Sequence, residues 1–137
     1  MTVKSLTYAE VHEGDELPVL DVPITPTAIV AGAIASRDYQ DVHHDSELAK
    51  ARGSKDIFMN ILTTNGYVGR YVTDWAGPDA ILKKVAIRLG APNYPDDTML
   101  MTGRVTSKGA EGLVEVEIKG ENSLGDHVVG TVTLALP

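Results

Sequence analysis

Cysteine is absent from the 137 residues, which excludes disulfides and any thiolate metal site. No apolar run approaches the ~20 residues of a membrane span. The N-terminus lacks a basic region followed by an apolar core, so no signal peptide is expected. Basic clusters are missing as well. The 12 Lys and Arg residues are outnumbered by 19 Asp and Glu, for a net charge of −7. Such a surface repels nucleic acid and disfavours anionic ligands at long range. A phosphate-bearing ligand would need a local patch, for which Arg37, Lys50, Arg52, Lys55, Lys83, Lys84 and Arg88 are the candidates. Repeats and low-complexity segments are also lacking. What remains is an ordinary globular composition, 43% apolar and 23% charged, in a chain of a length that predicts one domain, 1–137, with one real core. A cytoplasmic location, with neither membrane nor nucleic acid as partner, fits these absences.

The chain begins with an extended lead-in over 8–18, closed by Gly14-Asp15, and a first strand over 19–24, with Pro23 placing it near an edge. Thr25-Pro26 is a helix start, Thr as N-cap and Pro at the first helical position, for a small Ala- and Ile-rich helix over 26–36. Asp45 predicts a cap for a short helix over 46–52, with Gly53 as its terminator. Ser54 then predicts the cap of a long helix over 55–75, with Asp56 in its first turn and Ile57, Phe58, Ile61, Leu62, Val68, Val72 and Trp75 near helical spacing. Gly66 and Gly69 each cost such a helix about 1 kcal/mol, which close approach of a sheet would explain. Beyond Gly77-Pro78 the period changes to two, and four strands follow. The separators 108–112 and 122–126 read as hairpin turns. A long helix among strands implies an α+β fold, a curved antiparallel sheet wrapped around one central helix.

Chemistry concentrates in residues 37–60. Asp38 and His43 lie five apart in a segment too irregular for helix or strand. A carboxylate and an imidazole in reach of one water can remove one proton and deliver another. They precede a helix whose first N–H groups lack partners and carry partial positive charge, donors suited to a developing oxyanion. Gly53 would let a ligand approach that backbone closely. An acid/base pair beside oxyanion donors suits addition or removal of water across a double bond conjugated to a carbonyl. Bland readings hold elsewhere. His44 beside His43 is a loop-bonding residue, because three adjacent residues, 43–45, do not converge on one metal ion. His127 reads as a solvated residue in a turn. Tyr71 and Trp75 read as core or interface.

The segment Asp38-Tyr39-Gln40-Asp41-Val42-His43 resembles the motif Gly-Asp-x-Asn-Pro-aliphatic-His of MaoC-like hydratases, (R)-specific enoyl-CoA hydratases with the hot-dog fold. The resemblance covers essentially the whole chain. It implies Asp38 and His43 as the catalytic pair and Gly53 as the N–H on the thioester carbonyl. Gln40 and Ser54 would support the site. No metal or other cofactor is implied, CoA being part of the substrate. The pair would hold a water near C3 of a trans-2-enoyl-CoA, and which of the two is the base stays open. Arg37, Gln40 and Asp41 depart from the motif's Gly, Asn and Pro. The stretches 37–45, 53–57, 71–78 and 124–127 look closest to small MaoC-like subunits of heteromeric hydratases that act in actinobacterial steroid side-chain degradation. That likeness implies a bulky acyl-CoA and a second MaoC-like subunit in a heterotetramer, or otherwise a homodimer. Two other readings are a non-catalytic acyl-thioester-binding subunit and a hot-dog thioesterase. Retention of Asp38 and His43 opposes the first. Asp56, too near the helix start for the usual helix-borne carboxylate, opposes the second.

Overall fold

The computed structural model describes residues 3–137. A short 3-10 turn at Tyr8–Glu10 leads to β1 (Leu20–Ile24) and α1 (Pro26–Ala35); a second, at Asp41–His43, precedes α2 (Ser46–Ala51). Then come α3 (Ile61–Ala76), β2 (Ile81–Leu89), β3 (Asp97–Lys108), β4 (Leu113–Asn122) and β5 (Gly125–Ala135). All strand pairs are antiparallel, in the order β1-β3-β4-β5-β2. Register shifts interrupt the β2–β5, β3–β4 and β4–β5 ladders. Such bulges bend and twist a sheet.

Both predicted caps at the first two α-helices are present. The Thr25 hydroxyl accepts from the Ala28 N–H at 3.0 Å and the Asp45 carboxylate from the Leu48 N–H at 3.0 Å. The core joins one face of α3 to the inner face of the sheet. Val68, Tyr71, Val72 and Ala76 meet Val22, Met99, Met101, Val105, Val116, Ile118, Val132 and Leu134, all buried. A fully buried Val or Leu contributes on the order of 1.5–3 kcal/mol, so this seam is the fold's main source of stability.

The long helix starts later than its periodicity predicts. Residues 55–60 are not helical, and α3 opens at Asn60, not Ser54. The reason is where the backbone donors go. The Ile57 N–H bonds to the Asp56 carboxylate, Phe58 N–H to the Val42 carbonyl and Met59 N–H to the Asn93 carbonyl. Asn60 then caps, its side-chain oxygen accepting from Thr63 N–H at 2.9 Å. Sixteen residues remain, spanning about 24 Å.

Gly66 and Gly69 do not receive the sheet. A Cβ on Gly66 would meet nothing within 4 Å, and one on Gly69 only the tip of Leu82 at 3.8 Å. The close approach lies elsewhere, between Gly32 of α1 and Thr63 of α3. There a Cβ would lie 2.2 Å from the Thr63 hydroxyl oxygen and 3.0 Å from its Cβ. Thr63 has no easy escape, because its hydroxyl donates to Asn60 Oδ1 at 2.6 Å. Gly32→Ala is therefore expected to destabilise the protein by roughly 1–3 kcal/mol, overpacking exceeding the gain in helix propensity. Urea denaturation measures this, and an unchanged or raised midpoint would contradict the packing argument.

Candidate active site

The end of α1 aims the first site residue. The Arg37 N–H bonds to Ile34 O at 3.0 Å and the Asp38 N–H to Ala33 O at 2.9 Å, the paired closure of a Schellman motif. Its pivot is Arg37, at φ 56°. That left-handed region favours glycine, which explains physically why a motif of this kind carries Gly before the Asp. Asp41, at the motif's Pro position, starts the 3-10 turn and holds Arg52 through two contacts, Nε to Oδ1 at 2.7 Å and the second guanidinium nitrogen to Oδ2 at 2.9 Å. That pairing holds the Asp41 carboxyl below the usual carboxylate range.

The turn carries His43 back onto Asp38, with Nε2 3.3 Å from Oδ2. His43 is buried, and its Nδ1 lies 2.7 Å from the Phe58 carbonyl oxygen. A carbonyl only accepts, so Nδ1 carries a proton, and when the ring is neutral Nε2 presents a lone pair. Oδ2 of an ionised Asp38 is an acceptor too. In that form the two acceptors call for a shared donor, and a water giving one hydrogen to each satisfies both.

Asp38 is held from two other sides. Asn60 Nδ2 donates to Oδ2 at 3.1 Å and the Gln40 backbone N–H to Oδ1 at 3.3 Å. The Asn60 bond is the main reason the Asp38 carboxyl sits below its ordinary range, with the Gln40 N–H and, when it is protonated, the His43 imidazolium assisting against burial. Asp38 and His43 line a cavity of about 300 Å³ with Phe58, Met59, Asn60, Ile61 and His127. Among the described residues the N–H groups of Asn60, Ile61 and Leu62 find no acceptor. They stand at the positive end of α3, beside the cavity.

The structure brings Asp38 and His43 together, with Gln40 touching Asp38 through its backbone, and leaves Gly53 and Ser54 apart from them. Gly53 is a correction. It terminates α2 at φ 90°, and its N–H is taken by the Lys50 carbonyl at 2.9 Å, outside the cavity lining. The available donors lie seven to nine residues on, because that is where the long helix begins. Gln40 reaches Asp38 through its backbone alone; its exposed side chain lies outside the cavity, and Asn60 supplies the orienting amide. Ser54 bonds the Asp56 carbonyl at 2.9 Å and neighbours the Tyr94 hydroxyl at 3.4 Å, supporting a loop and not the dyad. Asp56 is off the helix, accepting from the Ser46 hydroxyl at 2.8 Å. His44 bonds the Tyr39 carbonyl within its loop at 3.1 Å. No three His, Asp or Glu side chains among the described residues converge as metal ligands.

His127 is the clearest reversal. It is 2% exposed, lines the cavity and joins two elements. Nδ1 lies 2.6 Å from the Ala91 carbonyl and Nε2 2.8 Å from the Thr64 hydroxyl of α3. Alternation from Val128 and Val132 would turn residue 127 outward. Gly120 pairs with Val128 while Glu121 pairs with Asp126, so His127 is the extra residue of a bulge and turns inward.

No family model matches the chain. Over 123 residues, 90% of this chain and 95% of the relative, it is 54% identical to the 3-oxo-4,17-pregnadiene-20-carboxyl-CoA hydratase beta subunit of Mycobacterium tuberculosis. The chain belongs to the MaoC-like hydratase family. A crystal structure of the ChsH1-ChsH2 complex from Mycobacterium tuberculosis contains a chain 52% identical to this hydratase, with a TM-score of 0.89 over 92% of this chain and 98% of that one. The unliganded R-hydratase PhaJ1 from Pseudomonas aeruginosa superposes at a TM-score of 0.90, covering 97% of this chain and 86% of that one, at 20% identity. At that identity the likeness is one of fold, and the fold is the hot dog.

In this hydratase, burial holds the His127 imidazole below its ordinary pKa. The folded form keeps it neutral while the unfolded chain protonates near pH 6.5. Folding stability is therefore expected to fall as pH drops below about 6.5, with further loss below about 3.9 as Asp38 and the other depressed carboxylates protonate. Denaturant midpoints at pH 5 and pH 8 test the first step. His127→Gln should shrink the difference, and an equal difference in both proteins would contradict it.

Proposed function

We propose that this chain is the catalytic subunit of an enoyl-CoA hydratase and adds water across the C2=C3 bond of a bulky, polycyclic acyl-CoA. The observation that carries this reading is the apposition of Asp38 Oδ2 and His43 Nε2 at 3.3 Å, beside the N-terminus of α3. A water shared by the two acceptors turns its oxygen toward C3. As the C–O bond forms, the dyad takes the water's proton and the π electrons move onto the thioester oxygen. The N–H groups at the start of α3 stabilise that enolate. Its collapse takes a proton at C2 from the dyad. Water is consumed, the thioester is kept and nothing is oxidised or reduced. The reaction as written draws on no cofactor, because the thioester itself is the electron sink.

The bulky substrate is supported by the pregnadiene-carboxyl-CoA of the relative's name. It is supported also by the space available. Val68 and Val72 close α3 against the sheet, leaving no room there for an acyl chain. A groove of about 600 Å³ instead starts at Ser36 and runs between α1 and α3, lined by Ala28, Ala31, Ala35, Leu62 and Gly66. A second MaoC-like subunit is part of the reading, as in the ChsH1-ChsH2 complex. The outer edge of β2 has no partner strand among the described residues and exposes Ile81 and Leu82, an edge that association would cover. No helix of the described residues is long and apolar enough to cross a membrane. A cytoplasmic location goes with the hydratase reading, as the place of a metabolic acyl-CoA reaction. The thioesterase alternative loses ground, since the one carboxylate on α3, Asp74, is exposed and paired with Arg70.

The test follows enoyl absorbance and free CoA separately. The chain, alone and with its co-purified subunit, meets a short enoyl-CoA and a steroid enoyl-CoA. Hydration of the bulky ester is expected, falling by about 10²- to 10⁴-fold in Asp38→Asn and in His43→Ala. CoA release without hydration would favour a thioesterase. Wild-type hydration untouched by either substitution would overturn the dyad.

A further inference from the structure

We propose that Asn60 is the positioning residue of this site, one side chain that both aims the Asp38 carboxylate at His43 and caps the helix supplying the oxyanion donors. The proposal rests on the hydratase reading of the dyad, and its ground is how completely the amide is used. Asn60 is 2% exposed. Its Nδ2 donates to Asp38 Oδ2 at 3.1 Å and to Ser36 Oγ at 2.9 Å. Its Oδ1 accepts from the Thr63 N–H at 2.9 Å and the Thr63 hydroxyl at 2.6 Å. These four bonds exhaust what an amide can make. They also settle its orientation. A flipped amide would set its oxygen against a carboxylate and its NH₂ against the Thr63 N–H, losing bonds on both sides.

The consequence is mechanical coupling between two parts of the reaction. Ser36 is the C-cap of α1 and donates its hydroxyl to Gly32 O at 2.7 Å. Asn60 is the N-cap of α3. The end of one helix, the catalytic carboxylate and the start of the other helix therefore meet on one side chain. Without Asn60, Asp38 keeps only the 3.3 Å bond from the Gln40 N–H, and its carboxyl is free to rotate away from His43. The donation also favours the ionised carboxylate, the form able to share a water with the imidazole. The other titratable groups facing the cavity are His43 from the 3-10 turn and His127 from β5. Arg37 is exposed at the end of α1, and Asp41 on the turn is taken up by Arg52.

Two substitutions separate aiming from capping. Asn60→Asp keeps the shape and a good cap but removes the donor and sets a second carboxylate against Asp38. Asn60→Ser keeps a cap without adding charge. Thr63→Val removes the hydroxyl bond on the capping side while keeping the bulk against Gly32 and the Asn60–Asp38 bond. The readouts are pH profiles of kcat/KM and the titration of the Asp38 carboxyl followed by carbon-13 NMR in the folded protein. Both Asn60 variants are expected to lower kcat by roughly 10- to 100-fold with little change in KM. The acid limb and the Asp38 titration should both move to higher pH, furthest in Asn60→Asp. Thr63→Val should lower thermal stability and leave both titrations in place. Folded Asn60→Asp and Asn60→Ser with a wild-type Asp38 titration would overturn the proposal. The NMR arm needs no substrate, so a failure of Asn60 to control Asp38 stays distinguishable from a failure of the hydratase reading, which shows as absent wild-type hydration.

Discussion

The site depends on how closely α1 and α3 approach. Gly32 against Thr63 sets that distance, and no larger residue fits without displacing the Thr63 side chain. At that separation the C-terminus of α1 and the N-terminus of α3 lie within reach of one amide. The Schellman closure at Arg37 then turns Asp38 toward the gap, and the 3-10 turn returns His43 from the other side. The dyad is thus a product of helix termination. Its members come from an irregular segment, yet each is fixed by bonds to the backbone or to a helix cap. The left-handed Arg37 is a local cost, of the kind that persists where surrounding contacts over-determine the backbone.

The two buried histidines show how environment separates roles. Each gives its Nδ1 proton to a backbone carbonyl, Phe58 for His43 and Ala91 for His127. Each therefore turns Nε2 inward as an acceptor. His127 meets the Thr64 hydroxyl, which can donate to it, and the pair is satisfied. His43 meets an ionised carboxylate, which cannot. When the ring is neutral, two lone pairs left facing each other call for a proton-bearing third party, the water of the proposed hydration. One histidine ties β5 and the 90–92 loop to α3; the other is poised for chemistry. Their difference lies wholly in the partner of Nε2.

Much of the fold was legible where local chemistry decides local structure. Thr25-Pro26 and Asp45 announce caps that are made, and period-two alternation with turn residues between marks all four later strands. The Asp38–His43 pair was legible through its resemblance to a known motif. The rest was hidden by tertiary choices. Helical spacing from Ile57 onward is real in the sequence, yet Phe58 and Met59 give their N–H groups to Val42 and Asn93, partners distant in the chain. Propensity cannot register that. The delayed helix start moves the unpaired helix N–H groups from Gly53 to Asn60 and beyond. His127 was hidden by a one-residue bulge, which reverses side-chain direction without a composition signal. Asn60 did carry a signal. Asn is as good an N-cap residue as the Ser at 54.

These misplacements bear on how the site works. Gly53 and Gln40 follow from the resemblance to the family motif, and Ser54 from the helix start expected there. The structure instead puts the amide that bonds Asp38 and the acceptor-free N–H groups of 60–62 on the first turn of α3. Acid/base groups and oxyanion donors therefore sit on different segments that touch through Asn60 alone among the side-chain bonds to Asp38. A reaction that adds a nucleophile at C3 and charge at the thioester oxygen needs those two loci at a fixed separation. An amide with every donor and acceptor engaged is a stiff spacer for that purpose. An exposed Gln40 or a glycine loop, free to reorient, would leave the separation to chance.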